Sequence, residues 1–181
     1  MACLQEVGLM QLGIIEKRLS QAASALATGL AERNRRIVFA ESCTAGLVSA
    51  TLAGVPGISA YHCGSAVTYR NDTKARWLGV SEQTLQTVGA VSRETAMEMA
   101  AGVLKNTPEA DVGISVTGHL GPNAPAELDG VIWIGTACTE EAIAVQKNLA
   151  ELESTNSERA YRQRFAATLV LELALNAVRE C

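Results

Sequence analysis

Two short apolar runs in this chain stop abruptly at polar, glycine-bearing clusters, and that pattern constrains the fold more than any other feature. Residues 36–40, RIVFA, give way to Glu41-Ser42-Cys43-Thr44-Ala45-Gly46, and Val112 to Val116 give way to Thr117-Gly118-His119-Leu120-Gly121-Pro122. A few apolar residues bounded by turn formers read as a buried strand. The carboxyl end of such a strand is where an open α/β sheet holds a ligand.

The rest of the chain fills in around these two runs. Residues 9–32 carry Leu12, Ile15, Leu19, Ala22, Ala23 and Leu26 at helical spacing, and this helix is expected to end near Gly29 or Asn34. After the RIVFA strand comes a helix ending around Gly54, with Ser42 or Thr44 as its expected cap. Residues 61–69 read as a second strand and residues 72–78 as a short helix capped by Asp72. Ser81 with Thr84 and Leu85 suggests another short helix. Ser92 to Lys105 forms a longer one, with Ser92 as cap and Thr95 at the capping-box position. Val112 to Val116 is the third strand, and residues 117–130 are loop by composition. Val131 to Cys138 and Ala142 to Leu149 make two strands joined by Thr139-Glu140-Glu141, and residues 155–180 form a long last helix. Early alternation of strand and helix with a late hairpin predicts an α/β fold, a mixed sheet of about five strands covered by helices on both faces. With no linker and no repeat, residues 1–181 are expected to form a single domain.

Composition narrows the function classes. At 48% hydrophobic and 19% charged, the 181 residues are neither disordered nor low-complexity. A net charge of −4 and 4% aromatic residues argue against a nucleic-acid partner. No apolar run reaches the ~18–20 residues of a membrane span, and no Lys or Arg precedes Lys17 as in a signal peptide. Five widely spaced cysteines without C-x-x-C, and two histidines, supply a zinc site poorly. The expectation is reduced thiols in a cytoplasmic protein with no metal and no cofactor. The apolar excess of the first and last helices predicts a homo-oligomer, a dimer or higher.

Chemistry has three places to sit, each at the end of a strand. In the first, Ser42 stands where the amides of a following helix turn would be open to a phosphate or an oxyanion. Cys43 is a rival nucleophile there, because a helix N-terminus lowers a thiol's pKa. The second is Thr68-Tyr69-Arg70-Asn71-Asp72-Thr73-Lys74. A serine nucleophile needs a base, and with so few histidines Lys74 or Tyr69 could supply it if burial, or a cation such as Arg70 or Arg76, lowered the lysine pKa. The third is the loop after Val116, where Gly118 and Gly121 let backbone approach a ligand closely and His119 is a possible contact.

Taken in order, ESCTAG, VTYRNDTK, Gly89-Ala90-Val91-Ser92 and TGHLGP resemble the CinA C-terminal domain family, over roughly residues 10–180. That family includes nicotinamide-nucleotide amidases, and its fold is a three-layer α/β/α sandwich. The resemblance implies metal-independent hydrolysis of nicotinamide mononucleotide to nicotinate mononucleotide and ammonia. Ser42, Tyr69 and Lys74 match the family's catalytic serine, tyrosine and lysine. Cys43, Thr44, Gly46, Asn71, Thr117, Gly118, Gly121 and Arg162 fall on its substrate-binding motifs. The chain departs from the pattern at His119 and Leu120, at Asp129, which would repel a phosphate if it faced the pocket, and at Glu158, where an arginine is expected unless the register shifts to Arg159. These departures keep a second reading open: a non-catalytic or regulatory nucleotide-binding protein on the same fold.

Overall fold

A computed structural model of the protein describes residues 2–138, 141–150 and 158–181. In chain order its elements are α1 (Ala2–Arg33), β1 (Ile37–Glu41), α2 (Leu47–Ala53), β2 (His62–Val67), α3 (Asn71–Leu78), α4 (Glu82–Thr87), α5 (Arg93–Lys105), β3 (Val112–Gly118), β4 (Val131–Cys138), β5 (Glu141–Asn148) and α6 (Glu158–Glu180). Single 3-10 turns lie at Ile58–Ala60 and Ala126–Leu128.

The strands form one sheet in the order β2-β1-β3-β4-β5. β1 runs parallel to both β2 and β3, whereas β3, β4 and β5 form an antiparallel meander. The sheet is therefore mixed, as the strand order in the sequence predicts. Side chains of β1 alternate between two cores, as strand geometry requires. Ile37 and Phe39 enter a large cluster with α1, α2 and α6, and Val38 and Ala40 enter a smaller one with Leu78 of α3 and Met99 and Val103 of α5. Gly102 lets α5 lie against α3, since a Cβ there would overlap the Leu78 carbonyl.

Several expectations shift on contact with the structure. α1 runs past Gly29, whose missing side chain makes room for Leu175 of α6, and ends beside Asn34 at φ 49°. Strand β2 stops at Val67, two residues short of the expected end. Asp72 is not a cap: α3 begins at Asn71 after Arg70, and Asp72 lies in the first turn paired with Arg76 at 2.8 Å. Ser81 and Ser92 do cap α4 and α5, each accepting from the amide three residues on. Thr139 and Glu140 of the expected β4–β5 turn, and residues 155–157 of the expected last helix, lie outside the described residues. The cysteines are not all free thiols, because Cys138 and Cys181 are joined in a disulfide that ties the end of α6 to β4. Leu19, Ala22, Ala23, Leu26 and Leu30 of α1 pack with Ala166, Val170, Leu171 and Ala174 of α6 into the shared core, while Met10 and Ile14 of α1 stay exposed. Among the described residues, no helix is long and apolar enough to cross a membrane.

Candidate functional site

The site begins where β1 ends. Ser42 N–H donates to the Val116 carbonyl at 3.0 Å, which fixes the serine beside the end of β3. The backbone then turns through Ala45 (φ 54°) and Gly46 (φ 95°) into α2. Neither Ser42 nor Thr44 caps that helix, because the fully buried Glu41 does so from one residue earlier. Its Oε2 accepts from Thr44 Oγ1 (2.8 Å), Gly46 N (2.9 Å) and Val48 N (3.1 Å). Its Oε1 accepts from Ser49 N (2.9 Å) and Ser65 Oγ (3.1 Å). The helix N-terminus expected to be open to a ligand is thus already satisfied by an internal carboxylate. Among the described residues the amides of Cys43 and Thr44 donate to no protein acceptor, and they are the donors left at this turn.

Lys74 reaches Ser42 from α3. It is 1% exposed, and its Nζ lies 2.9 Å from Ser42 Oγ and 2.8 Å from the Thr68 carbonyl oxygen. Burial pushes its pKa down to about 8, with the Cys43 sulfur a smaller opposing influence. Desolvation, and not a neighbouring cation, is the cause. Arg76 is turned to Asp72 on the surface. Cys43 beside it is buried, and that burial drives its thiol up to about 12 against the weaker pull of Lys74 and Arg159. A thiol raised this far is protonated near neutrality, which weighs against it as a rival nucleophile.

Around this pair a cavity of about 170 Å³ is lined by Ser42, Cys43, Tyr69, Asn71, Lys74, Thr117 and Gly118, together with Ala90, Val91, His119 and Arg159. Thr117 Oγ1 donates to the Ala90 carbonyl at 2.7 Å, which ties the end of β3 to the Gly89-Ala90-Val91-Ser92 segment. At Gly118 a Cβ would come within 2.6 Å of β4 backbone, so only glycine lets the two strands meet here. Tyr69 is 55% exposed, and its hydroxyl accepts from Arg159 Nη2 at 2.9 Å; it shares no hydrogen bond with Ser42 Oγ or Lys74 Nζ. Arg159 also donates to the Gly121 carbonyl at 2.6 Å.

Four residues expected to bind substrate lie outside this cavity. Thr44 is buried on Glu41, and its carbonyl accepts from Gln163 Nε2. The Gly46 amide is taken by Glu41, and Gly121 contributes its carbonyl to Arg159. Arg162 is 2% exposed and bonds Asp129 at 2.8 Å. The arginine that reaches the cavity is Arg159, one helical turn earlier. Of the departures from the family pattern, Leu120 is a core residue and Asp129 is spent on Arg162. Among the described residues, no three His, Cys, Asp or Glu side chains gather as a metal site would require.

Fold and site together define an α/β protein with a serine–lysine pair at the carboxyl ends of parallel strands. The model of the CinA C-terminal domain matches residues 19–174, and the chain belongs to that family. A CinA-like protein of Chloroherpeton thalassium is 42% identical over 154 residues, 83% of this chain and 35% of the relative. The chain spans 28–35% of the length of the first curated relatives it matches. Among solved structures, the competence/damage inducible protein CihA from Agrobacterium tumefaciens has a TM-score of 0.79 at 32% identity, covering 88% of this chain and 96% of that one. A CinA superfamily protein from Klebsiella pneumoniae 700603 has a TM-score of 0.75 at 26% identity, covering 87% and 98%.

Proposed function

We propose that the chain is a serine amidohydrolase that acts on a nucleotide carboxamide, with nicotinamide mononucleotide as the substrate to test first. The observation that carries this reading is the 2.9 Å contact between Lys74 Nζ and Ser42 Oγ at a buried lysine whose pKa falls to about 8. A neutral amine accepts the hydroxyl proton, and the pair becomes nucleophile and base without a histidine. The Thr68 carbonyl holds the amine in place at 2.8 Å.

In the reaction, Ser42 Oγ attacks the carboxamide carbon as its proton passes to Lys74. The Cys43 amide, at the cavity wall and free of a backbone acceptor among the described residues, would donate to the oxyanion that develops. The Lys74 ammonium returns the proton to the leaving nitrogen, the C–N bond breaks, and ammonia departs from an acyl-serine. Water then attacks that ester, giving its proton to Lys74, and the serine is restored with release of the carboxylate. Arg159, steadied by Tyr69, places a cation at the mouth where a substrate phosphate would lie. Tyr69 in this reading positions Arg159 and does not shuttle the proton.

The test is ammonia release from nicotinamide mononucleotide by the purified chain in chelator-treated buffer. Wild type is expected to turn over, and Ser42→Ala to lose activity by about 1,000-fold or more. Equal release by the two proteins would overturn the proposal.

A further inference from the structure

β5 is the last strand of the sheet, and among the described residues no strand pairs with its outer edge. It is eight residues long and contains no proline. Ile143 and Val145 project from it 57% and 38% exposed. They look onto a cavity of about 560 Å³, whose far wall includes Leu173 and Ala177 of α6. Edge strands are normally protected from pairing by proline, by bulges or by like charges. Here the charges are unlike: Glu141 stands at one end and Lys147 near the other, both exposed and without an ion-pair partner among the described residues.

From this pattern we propose that β5 is a self-pairing surface, and that its partner is β5 of a second copy of this chain. The symmetry of a homodimer limits how such a pairing can be made. A two-fold axis normal to the sheet keeps each side chain on its own face, and directly opposed antiparallel residues share a face. The axis must therefore pass through a residue and not between two. Centred on Ala144, Glu141 lies opposite Lys147 of the partner subunit, and Ile143 opposite Val145 of the partner subunit, each twice. Centred on Ile143, the carboxylate of Glu141 would face the valine; centred on Val145, the ammonium of Lys147 would face the isoleucine. Only the Ala144 register matches apolar with apolar and opposite charge with opposite charge. The two sheets then join into one, and Ile143 and Val145 are covered over both grooves. The proposal is independent of the catalytic reading, since β5 lines no part of the Ser42 cavity.

Light scattering with sedimentation velocity tests it. Wild type is expected at twice 19.0 kDa. Lys147→Glu and Glu141→Lys each place two like-charge pairs at the interface, and each should weaken the dimer by about tenfold or more. An equimolar mixture of the two variants should recover the dimer, because every cross-strand pair then carries opposite charges again. Circular dichroism checks that each variant is folded, and the mixing result distinguishes lost pairing from lost folding. A wild type that runs as a monomer, a dimer indifferent to both charge reversals, or a mixture that stays monomeric would each overturn the proposal.

Discussion

Lys74 carries a folding cost as well as a proposed chemical role. In an unfolded chain its amine keeps its proton up to about pH 10.5, and in the folded chain only up to about 8. Below pH 8 both states are charged, and the burial penalty is present in full, about 3 kcal/mol for a shift of this size. Between pH 8 and 10.5 the unfolded state binds the additional proton, so stability rises with pH across that window. Lys74→Met removes the titrating group. The unfolding free energy of this variant minus that of wild type is therefore expected to fall by about 3 kcal/mol from pH 7 to pH 10.5, as read from urea denaturation. A difference that stays constant with pH would mean that the amine is not desolvated in the folded protein.

At the scale of elements, Glu41 joins β1, β2 and the start of α2. One carboxylate accepts five hydrogen bonds, three of them from backbone amides of the segment that positions Ser42. Glu41→Gln would turn an NH2 group toward amides that need an acceptor. Hydrogen bonds to charge are each worth about 1.5–3 kcal/mol, so a loss of about 3 kcal/mol or more is expected by denaturant titration. A loss below about 1 kcal/mol would show that water or α2 itself can satisfy these donors. Glu41 also marks the boundary of what the sequence discloses. Strands β1, β3, β4 and β5 are legible because their apolar runs end at turn residues, and Ser81 and Ser92 are legible as caps because each is followed by a helical pattern at the right distance. The cap of α2 is not, since the acceptor is a glutamate inside the preceding strand, brought over the helix by a left-handed turn at Ala45 and Gly46. Asp72 misleads for the related reason that its carboxylate has a better partner in Arg76.

At the scale of the molecule, the cavity draws on α3, α6 and the ends of β1 and β3, which meet only in the folded sheet. Each strand end is visible in the sequence as a polar cluster, so Ser42, Tyr69, Lys74 and Thr117 can be nominated from the residues and the family resemblance. Choosing between Arg159 and Arg162 cannot be done that way: they sit about one turn apart on the same helix, and tertiary packing alone sends the first to Tyr69 and the second to Asp129. The reading of a binding protein without activity rests on the departures at Leu120, Asp129 and Glu158, and packing accounts for two of them. Leu120 fills the core and Asp129 is paired with Arg162, and neither lines the Ser42 cavity.

The central proposal is that Ser42 is activated by a lysine whose pKa burial lowers to about 8, so that its neutral form is within reach near neutrality. It is tested most directly by the pH dependence of kcat/KM for ammonia release by wild type and by Lys74→Arg. Guanidinium keeps the positive charge but cannot give up its proton near neutrality. Wild-type kcat/KM is expected to rise with an apparent pKa of about 8, and Lys74→Arg to be slower by about 100-fold or more with that limb gone. A Lys74→Arg protein that keeps most of the activity and the same pH limb would contradict the account, and would place the base elsewhere.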